Sequence, residues 1–342
     1  MEEIAARLRG EFDLTIVTAR LRRSLPSKDA LDGVPVVRVG LGCALDKFLF
    51  PLLAPLAIWR LNPALIHAVL ESYAGMALVV CSWLYRKTPR LLTCQSTNTT
   101  LLVGAMHVAA FRITVISSVL KERAAKFGRP DAVLIPNGIT LKAIATATAA
   151  HPKVPGRLLF VGRLEPMKGV DTLLQAFAKV RVQLPDWSLR IAGDGGERLG
   201  LQRLSARLGL DDVVTFTGMQ SHDAVLKEFA EAEIFCGLSR SEALGNVFLE
   251  AQASGCAVLA TKTGGIPDIV ADGQAGLLVP VDDVDAAATA LVRLASDTEL
   301  RRRFATAGRA NAAAYDWDTI AARYAALYRE MLLYGGRSSV HL

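Results

Sequence analysis

Short runs of β-branched and aliphatic residues alternate with helix-period segments throughout residues 157–280. Strands are expected at 157–162, 188–193, 213–218, 233–238, 257–261 and 276–279, with helices at 170–184, 196–208, 223–231 and 247–254. Strands separated by helices of this length imply βαβ units, a parallel sheet, and functional loops at the strands' carboxyl ends. The first half repeats the theme less cleanly. Its strands are expected at 14–18, 34–39, 65–69, 90–94, 114–116 and 132–135, and its helices at 76–86 and 119–127. It opens on a helix, 2–9, where a doubly wound half normally opens on a strand, so a first strand and the loop after it are expected to be missing. The stretch 143–155, rich in Ala, Thr and Pro, has no core-forming period and reads as a linker. Residues 317–333 read as one long amphipathic helix.

Length fits this two-part reading, because 342 residues exceed one typical core. The expected division is a first domain over 1–143, a linker over 144–156, a second domain over 157–315 and a terminal helix over 316–334. No internal repeat points to a solenoid. The apolar stretch 48–59 is short and carries Pro51 and Pro55, which argues against a membrane span, and 73–85 reads as a buried helix. The opening residues carry acids and bases and no apolar core, unlike a signal peptide. The expected location is the cytoplasm.

Five scattered cysteines without a C-x-x-C pair read as reduced core thiols, neither disulfides nor a zinc site. Charge is informative once divided. Residues 1–150 hold 18 Lys and Arg against 10 Asp and Glu, whereas the remainder is slightly acidic. A basic first half suits an anionic partner, a membrane surface or a phosphorylated acceptor, and equally a plain solvated surface. Nucleic acid is disfavoured, since no basic-aromatic array accompanies the charge.

Three stretches carry chemistry. Gly162-Arg163-Leu164-Glu165-Pro166-Met167-Lys168-Gly169 directly follows an expected strand. Its glycines permit close backbone approach, and two cations five residues apart sit where a helix begins, which suits a diphosphate. Next, Ser239 to Ala251 places Glu242 before a helix and Glu250 inside it, within the apolar run Val-Phe-Leu-Glu-Ala. A carboxylate in such company needs hydrogen-bond partners, and vicinal ribose hydroxyls would serve. The amides of Gly245, Asn246 and Val247 open that helix and could hold phosphate oxygens. Third, Thr263-Gly264-Gly265-Ile266-Pro267-Asp268 closes a strand with paired glycines, alone no more than a turn.

Taken together, G-R-L-x-x-x-K-G, G-D-G, S-R-S-E-x7-E, G-G-I-P-D and G-L-L-V-P over 157–280 resemble the family 4 retaining glycosyltransferases of the GT-B fold. The first half is similar more loosely, through Ile135-Pro136-Asn137-Gly138 and Val115-Ile116-Ser117. The resemblance implies an α/β protein of two Rossmann-like doubly wound parallel-sheet domains facing a cleft, with the terminal helix crossing back to the first. It implies a nucleotide-sugar donor, UDP-, GDP- or ADP-linked, and a glycan or lipid-linked acceptor; the basic first half adds the expectation of a protein peripheral to the inner face of the membrane. Arg163 and Lys168 would bind the diphosphate, with Glu242 facing the donor sugar as the third catalytic residue. Glu250 would bind the ribose. Gly162, Gly245, Asn246, Val247, Gly264 and Gly265 would contact sugar or phosphate, and the Met219-Gln220 backbone would lie near the base. The configuration would be retained without a protein nucleophile, the leaving diphosphate accepting the acceptor's proton. Neither a metal nor a cofactor is implied, and Asp282-Asp283 reads as a helix cap.

Two departures bear on the acceptor side: the missing opening strand and Gly-rich loop, and Thr93-Cys94-Gln95-Ser96 where the family tends to carry a histidine. Gln95 would then contact the donor sugar, and His67 and His107 read as core or surface residues. Two alternatives stand beside the transferase: a donor-binding protein without activity, and a nucleotide-sugar epimerase on the same scaffold. An oxidoreductase is disfavoured because Gly193-Asp194-Gly195-Gly196 is not a G-x-G-x-x-G.

Overall fold

Asp32 and Gly33 both adopt positive φ (48° and 79°), turning a two-residue hairpin between β2 (Lys28–Leu31) and β3 (Val34–Val39). The pair matches a type I′ turn, and the hairpin is an element the hydrophobic pattern alone does not reveal. The computed structural model describes residues 2–97 and 102–334. These divide into two units, 1–137 with 317–342, and 138–316.

In the first unit, α1 (Glu2–Leu8) leads to β1 (Ile16–Ala19), which pairs in parallel with β3. α2 (Asp46–Leu61), β4 (Ile66–Val69), α3 (Tyr73–Leu84), β5 (Arg90–Cys94), α4 (Val103–Ala109), β6 (Arg112–Val115), α5 (Ser118–Lys126) and β7 (Val133–Leu134) follow. The strands form two sheets, β1-β3-β2 and the all-parallel β4-β5-β6-β7. Among the described residues, β1 and β4 each carry a ladder on one side only. The stretch 48–59 lies inside α2. Pro51 and Pro55 stand four apart and are both buried, so the prolines occupy its inner face.

The second unit opens with a correction. The expected linker 144–156 is largely helix: α6 (Leu141–Ala150) packs on α9 and α10, whose ranges follow. Ile144 alone of its residues is buried, so no apolar period advertised the helix. Then come β8 (Arg157–Val161), α7 (Val170–Val180), β9 (Ser188–Ala192), α8 (Arg198–Arg207), β10 (Val214–Gly218), α9 (His222–Glu231), β11 (Ile234–Gly237), α10 (Asn246–Ala253), β12 (Ala257–Thr261), α11 (Ile266–Ile269), β13 (Gly276–Val279), α12 (Val284–Ser296) and α13 (Thr298–Ala312). All six strands are parallel in the order β10-β9-β8-β11-β12-β13. β11 and β12 are buried at every position, as befits a sheet covered on both faces. Ser221, Asp283 and Asp297 cap α9, α12 and α13 through side-chain oxygens. The chain leaves β8 outward through β9 and β10, then returns to β8's other side at β11. The order therefore reverses between β8 and β11, and a crevice is expected at the carboxyl ends of those two strands.

The tail, α14 (Trp317–Tyr334), belongs to the first unit, where Ile320, Tyr324, Tyr328 and Met331 pack with Ile4 and Leu8 of α1.

Candidate functional site

The loops after β8 and β11 meet where the strand order reverses. A Cβ on Gly169 would lie 1.9 Å from the Leu238 carbonyl oxygen, so the first loop presses on β11's end at a spacing only glycine allows. Gly264, after β12, approaches the Glu242 carbonyl oxygen equally closely, and the Gly265 amide donates to that oxygen at 3.1 Å. Gly264 and Gly265 thus pack the loop after β12 on the loop after β11, and the three loops form one assembly; Gly162, directly after β8, donates its amide to the Ala192 carbonyl at 3.0 Å.

Within it, Lys168 Nζ donates to Glu242 Oε2 at 2.6 Å, with the two side chains 21% and 15% exposed. Ser239 Oγ lies 3.4 Å from the same oxygen. The diphosphate cation and the sugar-facing carboxylate of the sequence reading are therefore direct partners. Arg163 stands apart from them: its guanidinium is 74% exposed and paired with Glu165 at 2.7 Å.

Glu250, on α10, is half-buried, more open than its apolar flanks suggest. Its carboxylate takes no hydrogen bond from any described residue, and burial pushes its pKa up from 4.5 to about 7. Gly245 takes φ 92° to start α10, and the amides of Gly245, Asn246 and Val247 find no acceptor among the described residues. Unpaired donors at a helix start beside a lysine form an anion-binding arrangement. Asn246 Nδ2 contacts the Gly138 carbonyl at 3.4 Å.

Met219 and Gln220 follow β10. The Met219 side chain is 82% exposed. Gln220 Nε2 reaches 3.5 Å toward Glu228, itself held by Arg190 at 2.5 and 2.6 Å, and the Gln220 amide oxygen is buried without a partner.

Arg240 is a residue the sequence reading left unassigned. It binds both carboxylate oxygens of Asp171 at 2.8 and 3.0 Å, Asp282 at 2.8 Å, and the Pro166 carbonyl, while its own amide donates to Met167 at 2.8 Å. One side chain thereby fixes the Lys168 loop to β11's end. Asp282 is thus not a cap, a role Asp283 takes alone. The signal was the arginine beside Ser239 and Glu242, unreadable until its carboxylates were located in space.

Gln95, in the first unit, directly follows β5, and its Nε2 donates to Asn137 Oδ1 at 3.1 Å. Both nearby histidines are core groups. His67 contacts Tyr328 Oη at 2.7 Å and Thr93 Oγ1 at 2.6 Å, and burial drives its pKa from 6.5 down to about 3. His107 meets buried Glu71 at 2.8 Å, and Cys94 lies 3.6 Å away. Glu71, Cys94 and His107 could be taken for a metal site. Glu71 is already paired with Arg123, however, and burial pushes the Cys94 thiol far up, so the cluster reads as a buried ion-pair network, in which His107 Nδ1 is left without a hydrogen-bond partner.

Residues 145–311 match the glycosyl transferases group 1 family. The D-inositol 3-phosphate glycosyltransferase of Streptomyces scabiei (strain 87.22) is 38% identical over 196 residues, 55% of this chain and 44% of that protein. The chain spans about half the length of the curated relatives it matches. Among solved structures, sucrose-phosphate synthase from Thermosynechococcus elongatus superposes with a TM-score of 0.81 at 24% identity, covering 97% of this chain and 92% of that one. Anabaena HepE, in complex with UDP and glucose, gives 0.77 at 21% identity over 96% and 94%. The fold is GT-B.

Proposed function

We propose that this chain, whose residues 145–311 belong to the glycosyl transferases group 1 family, moves a sugar from a nucleoside-diphosphate donor to an acceptor hydroxyl with retention of configuration. One observation carries the reading: Lys168, on the loop after β8, meets the segment after β11, whose helix α10 carries the unpaired amides and the unpartnered Glu250, at the strand-order reversal of the second unit. Lys168 and the α10 amides hold the diphosphate, Glu250 accepts from the ribose hydroxyls, and Glu242 faces the sugar. Arg163, on a mobile-length side chain beside Lys168's loop, adds charge as the diphosphate departs. That departing group takes the acceptor's proton, and the fixed donors stabilise its growing charge. No step calls for a metal, because these cations supply the positive charge. The UDP and glucose of HepE and the phosphorylated inositol named for the Streptomyces relative favour a UDP-type donor and an anionic acceptor.

The test is thermal unfolding with a panel of UDP-, GDP- and ADP-sugars, followed by mass spectrometry of products. A rise in the transition with one donor class, and sugar release to acceptor, is expected. No shift with any donor at millimolar concentration would refute the site.

A second reading, donor binding without transfer, draws on the two separate sheets of the first unit, whose β1 and β4 edges each lack a neighbour among the described residues. Unpaired parallel edges weaken the unit expected to receive the acceptor. A donor-induced shift with neither hydrolysis nor transfer across an acceptor panel would favour it.

A further inference from the structure

α2 is apolar on two opposite faces. Phe50 and Ala54 pack inward with Tyr73, Ala74 and Ala77 of α3 and with Val17, Ala19 and Val39 of the first sheet, and Ile58, a turn further on, is buried too. Outward, Phe48, Leu52, Leu56 and Trp59 are 55–68% exposed at helical spacing. Trp83 and Leu84, at the end of the neighbouring α3, are 76% and 61% exposed. Scattered exposed leucines need no explanation, but an aligned stripe with two tryptophans does.

Charge says what covers it. Lys47, Arg60, Arg86 and Lys87 are all exposed at the two ends of these helices. Between Val34 and Arg90 the acidic residues are Asp46 and Glu71, and both are buried. Asp46 accepts the amides of Leu41, Gly42 and Cys43, and Glu71 is held by Arg123 and His107. This stretch therefore presents apolar and positive groups together, with no outward carboxylate of its own to oppose them. A second copy of the chain would bring two sets of lysines and arginines into one interface, which like charge disfavours. α2 is too short and too broken by proline to span a bilayer, and among the described residues no helix is long and apolar enough to cross one.

We propose that the α2–α3 face docks on an anionic lipid surface, α2 lying in the plane of the interface. Phe48, Leu52, Leu56 and Trp59 enter the headgroup–acyl boundary, and Lys47, Arg60, Arg86 and Lys87 meet lipid phosphates. Tryptophan suits that depth, where one end is apolar and the other wet.

The experiment is flotation of the full chain with phosphatidylcholine vesicles, with and without phosphatidylglycerol, at low and high salt and with no nucleotide sugar present. Lipid binding is thus read apart from any transfer activity. Expected is co-flotation with the anionic vesicles at low salt, weakened at high salt, and little with phosphatidylcholine alone. Leu52→Asp with Trp59→Asp should cut partitioning at least tenfold, as should Lys47→Glu with Arg60→Glu. All should melt like the parent, since these side chains face solvent. A folded parent that stays with the soluble fraction at low salt overturns the proposal. So does equal flotation of the variants, or a dimer that Leu56→Asp splits while vesicles are ignored.

Discussion

Lys168 Nζ and Glu242 Oε2 form a 2.6 Å ion pair between the loops after β8 and β11, so the principal cation of the candidate donor site already has an anionic partner. A diphosphate must share Lys168 with that carboxylate. The two substitutions should therefore act in opposite directions on nucleotide binding. Lys168→Ala removes the cation and leaves Glu242 facing the phosphates, weakening nucleoside-diphosphate binding by roughly 2–5 kcal/mol. Glu242→Gln frees Lys168 and should hold or raise that affinity while sugar transfer falls. Calorimetry on both variants checks the signs; unchanged affinity in Lys168→Ala would remove Lys168 from the site.

Glu250 makes binding pH-dependent. Its pKa of about 7 means that the ionised acceptor form grows between pH 6 and 8, so nucleotide affinity should rise over that range. Glu250→Gln should flatten the profile and lower affinity at pH 8.

The same group affects stability. A carboxyl whose pKa is higher folded than unfolded keeps its proton more readily in the folded state. Its ionisation therefore costs stability as pH climbs from 4.5 through about 7, and the full cost persists above. Glu250→Gln should stabilise the nucleotide-free protein at pH 8 by about 1–3 kcal/mol and change little at pH 4, as denaturant titration would show.

Gly169 has φ 62° and no room for a methyl group beside Leu238. Gly169→Ala should cost about 2–4 kcal/mol and lower the melting transition by roughly 5–15 °C. An unchanged transition would show that the loop relaxes freely.

Arg240 acts through the Lys168 loop. Arg240→Ala should weaken nucleotide binding about 3- to 30-fold, and Arg240→Lys should not restore it, because one ammonium cannot span Asp171, Asp282 and the Pro166 carbonyl together. Full rescue by lysine would assign the effect to charge alone.

Much of the second unit was legible beforehand. Strands at 257–261 and 276–279 fall where the β-branched runs placed them, and others shift by one residue, because fully buried parallel strands are apolar throughout. The first unit was harder. α2 hid behind Pro51 and Pro55 and an apolar outer face, which erased the amphipathic period. α6 hid for the opposite reason, burying only Ile144. The β2–β3 hairpin was announced by Asp32-Gly33 alone, without a strong strand pattern on either side.

By itself, the order of residues determined the βαβ alternation, the segments that carry Lys168, Glu242 and Glu250, and the basic first half, since periodicity, glycine placement and charge are local properties. Only the tertiary structure decided that Lys168 pairs with Glu242, that Arg240 ties their loops together and that Glu250 stands without a partner. It also decided that both acids near α2 are buried while its Lys47 and Arg60 face out. Those relations join positions 74, 69 and 42 residues apart, and a distance across a sheet is set by strand order, which no local pattern encodes.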